Sequence, residues 1–453
     1  MAISIFRRSF RPTVLLLNLL VLILIVFYKP FPEGINQGMA LLIFVAVLWF
    51  SEAMHITITA LTVPILAVLL GVFETKQALA NFAHPVIFLF LGGFALASAL
   101  RSQGLDKALA QLIVRASGGR PWLAILLMLC SVSFLSMWIS NTATTAMMLP
   151  MMIGLLDAIA IDKYRDNNAR FALLGLAYCA SLGGMATIVG SPPNAIAAAQ
   201  LNLSFIDWMQ LAFPLLLVLF PTCLFMLWLM TRPRFPKRVS VVDEPFVWTT
   251  KRVLTSAVFL ITVLAWMLSR PLSGLLGDLN NIDTLIALTS LVTLALLRLL
   301  DWKAFQQQTD WGVLLLFGGG LTLSAALKTT GTSIYLADVV AGLFSNTPLL
   351  LTFIGLAAFV VFLTEVASNT ASAALLVPLF ASLAVQLYVP EQALVVMVGL
   401  ACSCAFMLPV ATPPNAIVYG SGELKLSDFL RHGIVLNIIC SVLLAIYALL
   451  FIA

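Results

Sequence analysis

The residues best suited to bind a solute form a Ser-Asn-Thr motif that occurs twice, at 140–142 and at 368–370, each time within a long apolar run. Two hydroxyl groups and an amide in succession offer donors and acceptors that are costly to leave unpaired in a hydrocarbon environment. Irregular polar backbone at membrane depth is tolerated where it lines a cavity or coordinates a solute. The motifs therefore predict a polar binding site inside an apolar protein.

Each motif is followed by a second polar interruption that contains two prolines and an asparagine, at 190–196 and at 411–417. Proline lacks a backbone donor and breaks a helix, so each interruption predicts a broken helix. Carbonyl, hydroxyl and amide oxygens are hard ligands that suit an alkali cation, whereas the N-terminal end of a half-helix attracts an anion. A cation and an anion could thus share one site.

Neither apolar run with a Ser-Asn-Thr motif contains Arg or Lys, and neither does either Pro-Pro interruption. A carboxylate buried there would find no fixed positive side chain nearby. Bound cations and helix dipoles would have to neutralise it. This arrangement predicts a carrier that couples the uptake of an anion to a cation.

The composition indicates the class of protein. Hydrophobic residues make up 62% of the chain and charged residues 9%, and the mean hydropathy is +1.08. Soluble domains carry about a quarter charged residues. The apolar stretches are mostly long enough to cross the ~30 Å hydrocarbon layer as helices, and they lack the alternation of a transmembrane barrel. The sequence predicts an all-α polytopic protein whose surroundings are a lipid bilayer, with no nucleic acid as partner.

The apolar runs predict eleven transmembrane helices, two of them broken, together with two re-entrant hairpins. The run 121–156 is too long for one span and too short for two full spans, which fits a re-entrant hairpin with the Ser-Asn-Thr motif at its tip. The run 348–388 predicts a second hairpin, and 170–203 and 393–420 predict the broken helices. The other spans are expected near 13–28, 38–54, 56–73, 82–100, 207–230, 252–272, 283–300, 311–327 and 430–452, with interfacial stretches at 105–117 and after 327.

The two halves of the chain repeat one plan. The stretch of chain that separates Asn141 from Asn369 is nearly as long as the stretch that separates Asn194 from Asn415. Each repeat contributes an odd number of crossings, so the second copy is inverted, as in many secondary transporters. The predicted divisions are a first span (1–37), repeat 1 (38–231), a cytoplasmic linker (232–251) and repeat 2 (252–453).

The basic residues predict the orientation. If the N-terminus is cytoplasmic, only Lys29, Lys76, Arg270 and Lys328 of the 24 Lys and Arg residues fall outside. Positive charge favours the cytoplasmic side. The C-terminus is then expected outside, with the first hairpin opening from the cytoplasm and the second from the outside.

The paired Ser-Asn-Thr motifs, the paired Pro-Pro-Asn breaks and the Ser-Glu-Ala segment at 51–53 resemble the divalent anion/sodium symporter family, from about residue 38 to the end. The resemblance implies a homodimeric carrier, expected in a bacterial inner membrane, that takes up a C4-dicarboxylate such as succinate, malate or fumarate together with sodium. A transport domain would move against a scaffold in an elevator-type mechanism. Exchange of dicarboxylates without net sodium coupling, or sodium-coupled transport of citrate or sulfate, remains an alternative.

The resemblance also implies which residues bind the ligands. The substrate residues would be Ser140, Asn141, Thr142, Ser368, Asn369, Thr370, Thr412 and Pro413. One sodium ion would be held by Ser136, Ser140, Asn141 and Gly190. A second would be held by Thr364, Ala367, Asn369 and Ala411, several of them through backbone carbonyls.

Other interpretations of these residues are open. A single Ser-Asn-Thr motif could bind neighbouring helices together, but two copies with matching breaks favour a site. Gly92-Gly93 and the glycines at 318–320 are expected at close helix contacts. Glu52 and Glu365 could relay protons, although bracing of the adjacent motifs is the expectation we favour. A membrane-embedded enzyme lacks a nucleophile–base pair or metal motif. A channel would share the broken helices.

Overall fold

The computed structural model describes residues 2–105, 108, 112, 116–159, 164–236, 247–344 and 346–452, and no strand occurs among them. The predicted all-α fold is confirmed. Large parts of the predicted interfacial stretch (105–117) and of the predicted linker (232–251) lie outside the described residues. The helices are α1 (Ala2–Tyr28), α2 (Ile35–Ser51), α3 (Ile56–Leu69), α4 (Thr75–Ala80), α5 (Pro85–Ser102), α6 (Pro121–Ser136), α7 (Asn141–Ala158), α8 (Arg165–Ala169), α9 (Gly175–Gly184), α10 (Pro192–Gln200), α11 (Phe205–Thr231), α12 (Thr250–Met267), α13 (Ser269–Leu275), α14 (Ile282–Leu296), α15 (Trp302–Gln308), α16 (Trp311–Thr329), α17 (Thr332–Leu343), α18 (Leu349–Val366), α19 (Asn369–Gln386), α20 (Glu391–Ala401), α21 (Pro413–Gly420) and α22 (Leu426–Tyr447).

Seven helical segments in the described part of the chain are long and apolar enough to cross a membrane. They are Thr75–Ser102, Phe205–Thr231, Thr250–Met267, Trp311–Thr329, Leu349–Val366, Asn369–Gln386 and Leu426–Ile452. Large apolar side chains on the outer helices are exposed, for example Leu16 at 69% and Ile261 at 66%. Such a surface is stable in lipid rather than in water, so the chain is an integral membrane protein. The count of eleven spans and the orientation stay predictions.

One helix ends earlier than expected and one short helix is additional, and a proline and an N-cap residue explain the two differences. The span expected at 252–272 ends at Met267, and α13 begins at Ser269. Pro271 has no N–H to donate to the carbonyl of Met267, so the helix cannot continue unbroken. The short helix α15 was not expected from the sequence. It begins where the carboxylate of Asp301 accepts a hydrogen bond from the Ala304 N–H at 2.9 Å, an N-cap contact.

Each Ser-Asn-Thr motif marks a break between two helices. Ser140 lies between α6 and α7, and Ser368 lies between α18 and α19. Both serines are N-caps, and their hydroxyl oxygens accept the N–H groups of Ala143 at 3.3 Å and Ala371 at 3.5 Å. The helices of each pair contact each other. Both expected hairpins are therefore helix pairs, and their re-entrant insertion stays a prediction.

Each Pro-Pro interruption separates two half-helices, and an asparagine closes each break. The side-chain amide of Asn194 donates to the carbonyl oxygens of Gly184 at 2.9 Å and Thr187 at 2.7 Å. These carbonyls lie at the end of α9, where no helical N–H is available to them. Asn194 thus satisfies the backbone where the helix stops.

The second break has the same construction. Asn415 donates to the carbonyl oxygens of Ala405 at 3.1 Å and Leu408 at 3.0 Å. All of these residues follow their counterparts in the first break at one constant offset along the chain. The repeat predicted from the sequence therefore extends to individual hydrogen bonds.

The two repeats are interleaved, because helices of each repeat pack on helices of the other. Helix α10 contacts α19, and α21 contacts α7, so each Pro-Pro half-helix packs on the other repeat's Ser-Asn-Thr helix. The pairs α5–α14 and α3–α16 also cross between repeats. A Cβ atom at Gly92 would lie 2.6 Å from that of Ala287, and one at Gly319 would lie 2.7 Å from that of Ala60. The prediction that these glycines permit close helix packing is confirmed.

Candidate functional site

One cavity of about 1080 Å³ is lined by both Ser-Asn-Thr motifs and both helix breaks. Because each half-helix packs on the opposite repeat, the four polar interruptions converge although they are far apart in sequence. The predicted site residues that line the cavity are Ser140, Asn141, Thr142, Gly190, Ser368, Asn369, Thr370, Ala411, Thr412 and Pro413.

Three predicted sodium ligands lie outside the lining and are buried. The hydroxyl of Ser136 donates to the side-chain oxygen of Asn141 at 2.5 Å. Thr364 donates to the carbonyl of Val361 at 2.9 Å, within its own helix. Ala367 is in extended conformation, so the helix does not continue through it. The assignment of all predicted residues to substrate or sodium stays a prediction.

The first Ser-Asn-Thr break fits closely against the end of α9. A Cβ atom at Gly184 would lie 2.2 Å from the side-chain oxygen of Asn141, so only glycine allows this approach. Thr187 donates to the carbonyl of Met137 at 2.5 Å and accepts the N–H of Gly190 at 3.1 Å. Side-chain and backbone contacts thus hold the first motif and the first break in one unit.

The second break is braced by a buried carboxylate. Glu365 accepts the N–H groups of Met407 at 2.7 Å and Leu408 at 2.9 Å, and the amide of Asn437 at 2.7 Å. This geometry fits the expected bracing role. Glu52 differs: it lines the cavity, is exposed, and its side chain forms no hydrogen bond or ion pair with a described residue.

The cavity also presents buried oxygen atoms without a hydrogen-bond partner in the described part of the chain. They belong to the side chains of Asn369, Ser181, Ser403 and Ser98. Buried polar atoms normally find a partner. These oxygens are therefore available to a polar solute or a cation. The three serines were missed from the sequence, where a single serine in an apolar helix gives no distinguishing signal.

The charged residues among the described lining residues are Glu52, Arg101 and Asp310. The expectation that a carboxylate would find no fixed positive side chain nearby is therefore wrong. No basic residue lies on the motifs themselves, but α5 runs along the cavity and carries Arg101 to it. The oxygen-rich interior with a charged mouth can accommodate an anion together with cations. A site of this kind, where inverted repeats meet in an all-helical membrane protein, is typical of a solute transporter.

Comparison with known proteins places the chain in a family. The sequence profile of the family described as "Citrate transporter" matches residues 46–399. An uncharacterized transporter of Haemophilus influenzae is 47% identical and covers 95% of both chains. The sodium-dependent dicarboxylate transporter SdcS of Staphylococcus saprophyticus is 30% identical over 90% of this chain and 84% of its own. The chain belongs to the citrate transporter family, and the resemblance to the divalent anion/sodium symporters is confirmed.

The fold is similar to a solved structure, the YdaH transporter of Alcanivorax borkumensis, whose topology is described as unusual. The TM-score is 0.51 at 17% identity, over 82% of this chain and 87% of the other. The relatives are transporters, so the membrane-embedded enzyme considered from the sequence is excluded.

Proposed function

We propose that this protein is a secondary active transporter that couples sodium entry to the uptake of a C4-dicarboxylate such as succinate, malate or fumarate. The observation that carries the proposal is the convergence of both Ser-Asn-Thr motifs and both helix breaks on one cavity. A relative that covers most of the chain is a sodium-dependent dicarboxylate transporter. Two oxygen-rich regions, one per repeat, could each hold a cation beside the anion.

Within this proposal the substrate carboxylates contact both Ser-Asn-Thr motifs, Thr412 and Pro413. The first sodium ion lies among Ser136, Ser140, Asn141 and Gly190. The second lies among Thr364, Ala367, Asn369 and Ala411. The buried oxygen of Asn369, which has no hydrogen-bond partner in the described part of the chain, supports the second assignment because such an acceptor needs a cation or donor.

The proposed mechanism is of the elevator type in a homodimer. The helix pairs and broken helices, which contact one another, form the moving unit, and the remaining helices form the scaffold. With the N-terminus cytoplasmic, the exposed side chains of Glu52, Arg101 and Asp310 mark the cytoplasmic mouth of the cavity. Transport would then require the same site to open alternately to the other side.

The proposal is tested with purified protein in proteoliposomes and radiolabelled succinate. We expect saturable uptake driven by an inward sodium gradient and little uptake when choline replaces sodium. The double variant Asn141→Ala/Asn369→Ala is the inactive control. Equal uptake in choline that requires internal dicarboxylate would overturn coupling in favour of exchange. Sodium-driven uptake of citrate or sulfate but not succinate would overturn the assigned substrate class.

A further inference from the structure

One face of α5 forms a continuous part of the cavity wall. Phe90, Phe94, Ala97, Ser98 and Arg101 all line the cavity. Phe90, Phe94 and Ala97 are separated by four and three residues, as are Phe94, Ser98 and Arg101, which places all five on one side of the helix. The phenyl rings lie at one end of this face, and the two polar side chains lie at the other.

Ser98 and Arg101 are neighbours on this face, one helical turn apart. Ser98 is only 3% exposed, and its hydroxyl has no hydrogen-bond partner among the described residues. Serine hydroxyls in helices often bond to a carbonyl of the preceding turn, as Ser102 does to Ala99 at 2.9 Å. The hydroxyl of Ser98 is instead left for a ligand in the cavity.

Arg101 is exposed and forms no ion pair with any residue that the structure describes. The acidic residues that share the cavity wall are Glu52 and Asp310. Asp310 caps α16 by accepting the N–H of Val313 at 3.2 Å, whereas Arg101 makes no such contact with a residue that the structure describes. A guanidinium group presents a planar fork of donors that matches a carboxylate.

We propose that Arg101 and Ser98 form a docking subsite for a substrate carboxylate at the mouth of the cavity. This rests on the proposed function and deepens it. The cavity of about 1080 Å³ exceeds the volume that a four-carbon diacid requires, so it has room for a position before the Ser-Asn-Thr motifs. The guanidinium group would hold the carboxylate by paired hydrogen bonds rather than by the net charge of the wall, because Glu52 and Asp310 also line it. The subsite therefore acts on the side of the membrane to which this mouth opens.

The test compares right-side-out and inside-out membrane vesicles from cells that express the chain. A substitution cannot change the transport equilibrium, so the ratio of maximal rate to half-saturating concentration shifts by the same factor in both directions. Arg101→Gln is expected to raise the half-saturating succinate concentration about tenfold in one vesicle type, with little change in maximal rate, and in the other type to lower the maximal rate instead of raising this concentration. Ser98→Ala is expected to raise it about three- to fivefold in the same vesicle type, as for one lost hydrogen bond. The effect of Arg101→Gln is expected to shrink as choline chloride is added, because salt screens exposed charges.

Arg101→Lys keeps the charge, so its half-saturating succinate concentration is expected to lie between those of the wild type and Arg101→Gln. The matched control is Lys328→Gln. Lys328 is the counterpart of Arg101 in repeat 2, just as Gly331 is the counterpart of Gly104, and it does not line the cavity. In the vesicle type that responds to Arg101→Gln, this control is expected to leave the half-saturating concentration unchanged.

Two outcomes would overturn the subsite: no change of the half-saturating concentration for Arg101→Gln in either vesicle type, or an equal rise of this concentration in both. An equal rise would mean that the substitution acts through the structure as a whole. Failure of the proposed function is a separate result, since the wild type itself would then take up no succinate in either vesicle type under a sodium gradient.

Discussion

At the scale of residues, the two motif asparagines differ in their surroundings. The oxygen of Asn141 accepts a bond from Ser136 and lies against Gly184, whereas the oxygen of Asn369 is buried without a partner among the described residues. Matching sequence motifs therefore present different local chemistry. The proposed sodium site beside Asn369 therefore has the more available acceptor.

Asn141→Ala and Asn369→Ala should each abolish sodium-driven succinate uptake while the protein still folds. Each amide is proposed to serve substrate and cation together, so its loss removes both contacts. Uptake and the thermal unfolding midpoint are the measurements. Asn18→Ala is the control, because its amide binds the carbonyl of Phe44 at 2.9 Å and does not line the cavity. Uptake like the wild type in either motif variant would remove that residue from the site.

Gly184→Ala should reduce uptake at least tenfold because the new methyl group would displace the side chain of Asn141. Gly154→Ala provides the matched control. No atom lies within 4 Å of a Cβ at Gly154, which is inside α7, so alanine there should stabilise the protein by ~0.5–1 kcal/mol. Initial uptake rates and unfolding midpoints distinguish the two. Full activity of Gly184→Ala would contradict the close approach.

At the scale of elements, both helix breaks are closed by an asparagine, but they are attached to the neighbouring hairpins by different hydrogen bonds. Asn194 and Asn415 close their breaks in the same way. In repeat 2 the side chain of Glu365 also binds the backbone of the break. Met137, which holds the corresponding position in repeat 1, uses its backbone carbonyl and accepts the hydroxyl of Thr187. In repeat 1 a side chain of the break donates to the backbone of the hairpin, whereas in repeat 2 the backbone of the break donates to a side chain of the hairpin.

Asn194→Ala and Asn415→Ala should each destabilise the protein by at least ~2 kcal/mol, because two buried carbonyl oxygens lose their donors. Uptake should fall with stability, since the breaks supply the proposed sodium ligands Gly190 and Ala411. The unfolding midpoint in detergent is the measurement. Asn81→Ala is the control, because the hydrogen bond that its amide forms with a described residue is a single long one, 3.4 Å to Thr322. A midpoint as high as that of this control would show that the asparagines do not hold the breaks.

At the scale of the whole molecule, the balance of charge in the transport cycle decides how uptake responds to potential and pH. Succinate-like acids are dianions near neutral pH because their carboxyl groups titrate well below it. If more than two sodium ions accompany each dianion, every cycle carries net positive charge inward. An inside-negative potential then contributes ~2.3 kcal/mol per charge per 100 mV.

If a third sodium ion accompanies the two assigned above, an inside-negative potassium–valinomycin potential should accelerate uptake in proteoliposomes, whereas coupling to two sodium ions should leave uptake indifferent to the potential. Acidifying from pH ~7.5 to ~5.5 should slow it, since the dianion is depleted. Initial rates of labelled succinate uptake measure both effects. Indifference to potential would indicate electroneutral coupling or exchange. Faster uptake in acid would indicate proton coupling, with Glu52 and Glu365 as the first residues to test.

Composition and repeated motifs were sufficient to predict an all-helical membrane transporter. A chain in a bilayer must satisfy its backbone within helices or a closed barrel, and long apolar runs without barrel-type alternation leave the helical class. The helix breaks at Ser140, Ser368 and the two Pro-Pro segments were predictable because capping serines and prolines act on their immediate neighbours. The repeat offsets were visible because both copies keep these local signals.

Only the tertiary structure placed the residues around the cavity. Arg101 and Ser98 carry no local sign of function, and they face the cavity because α5, which packs on α14 of the other repeat, forms part of the wall that the motifs also line. The brace between Glu365 and the N–H groups of Met407 and Leu408 likewise joins segments that are far apart along the chain. Contacts of this kind depend on how helices cross, which sequence spacing within one helix does not determine.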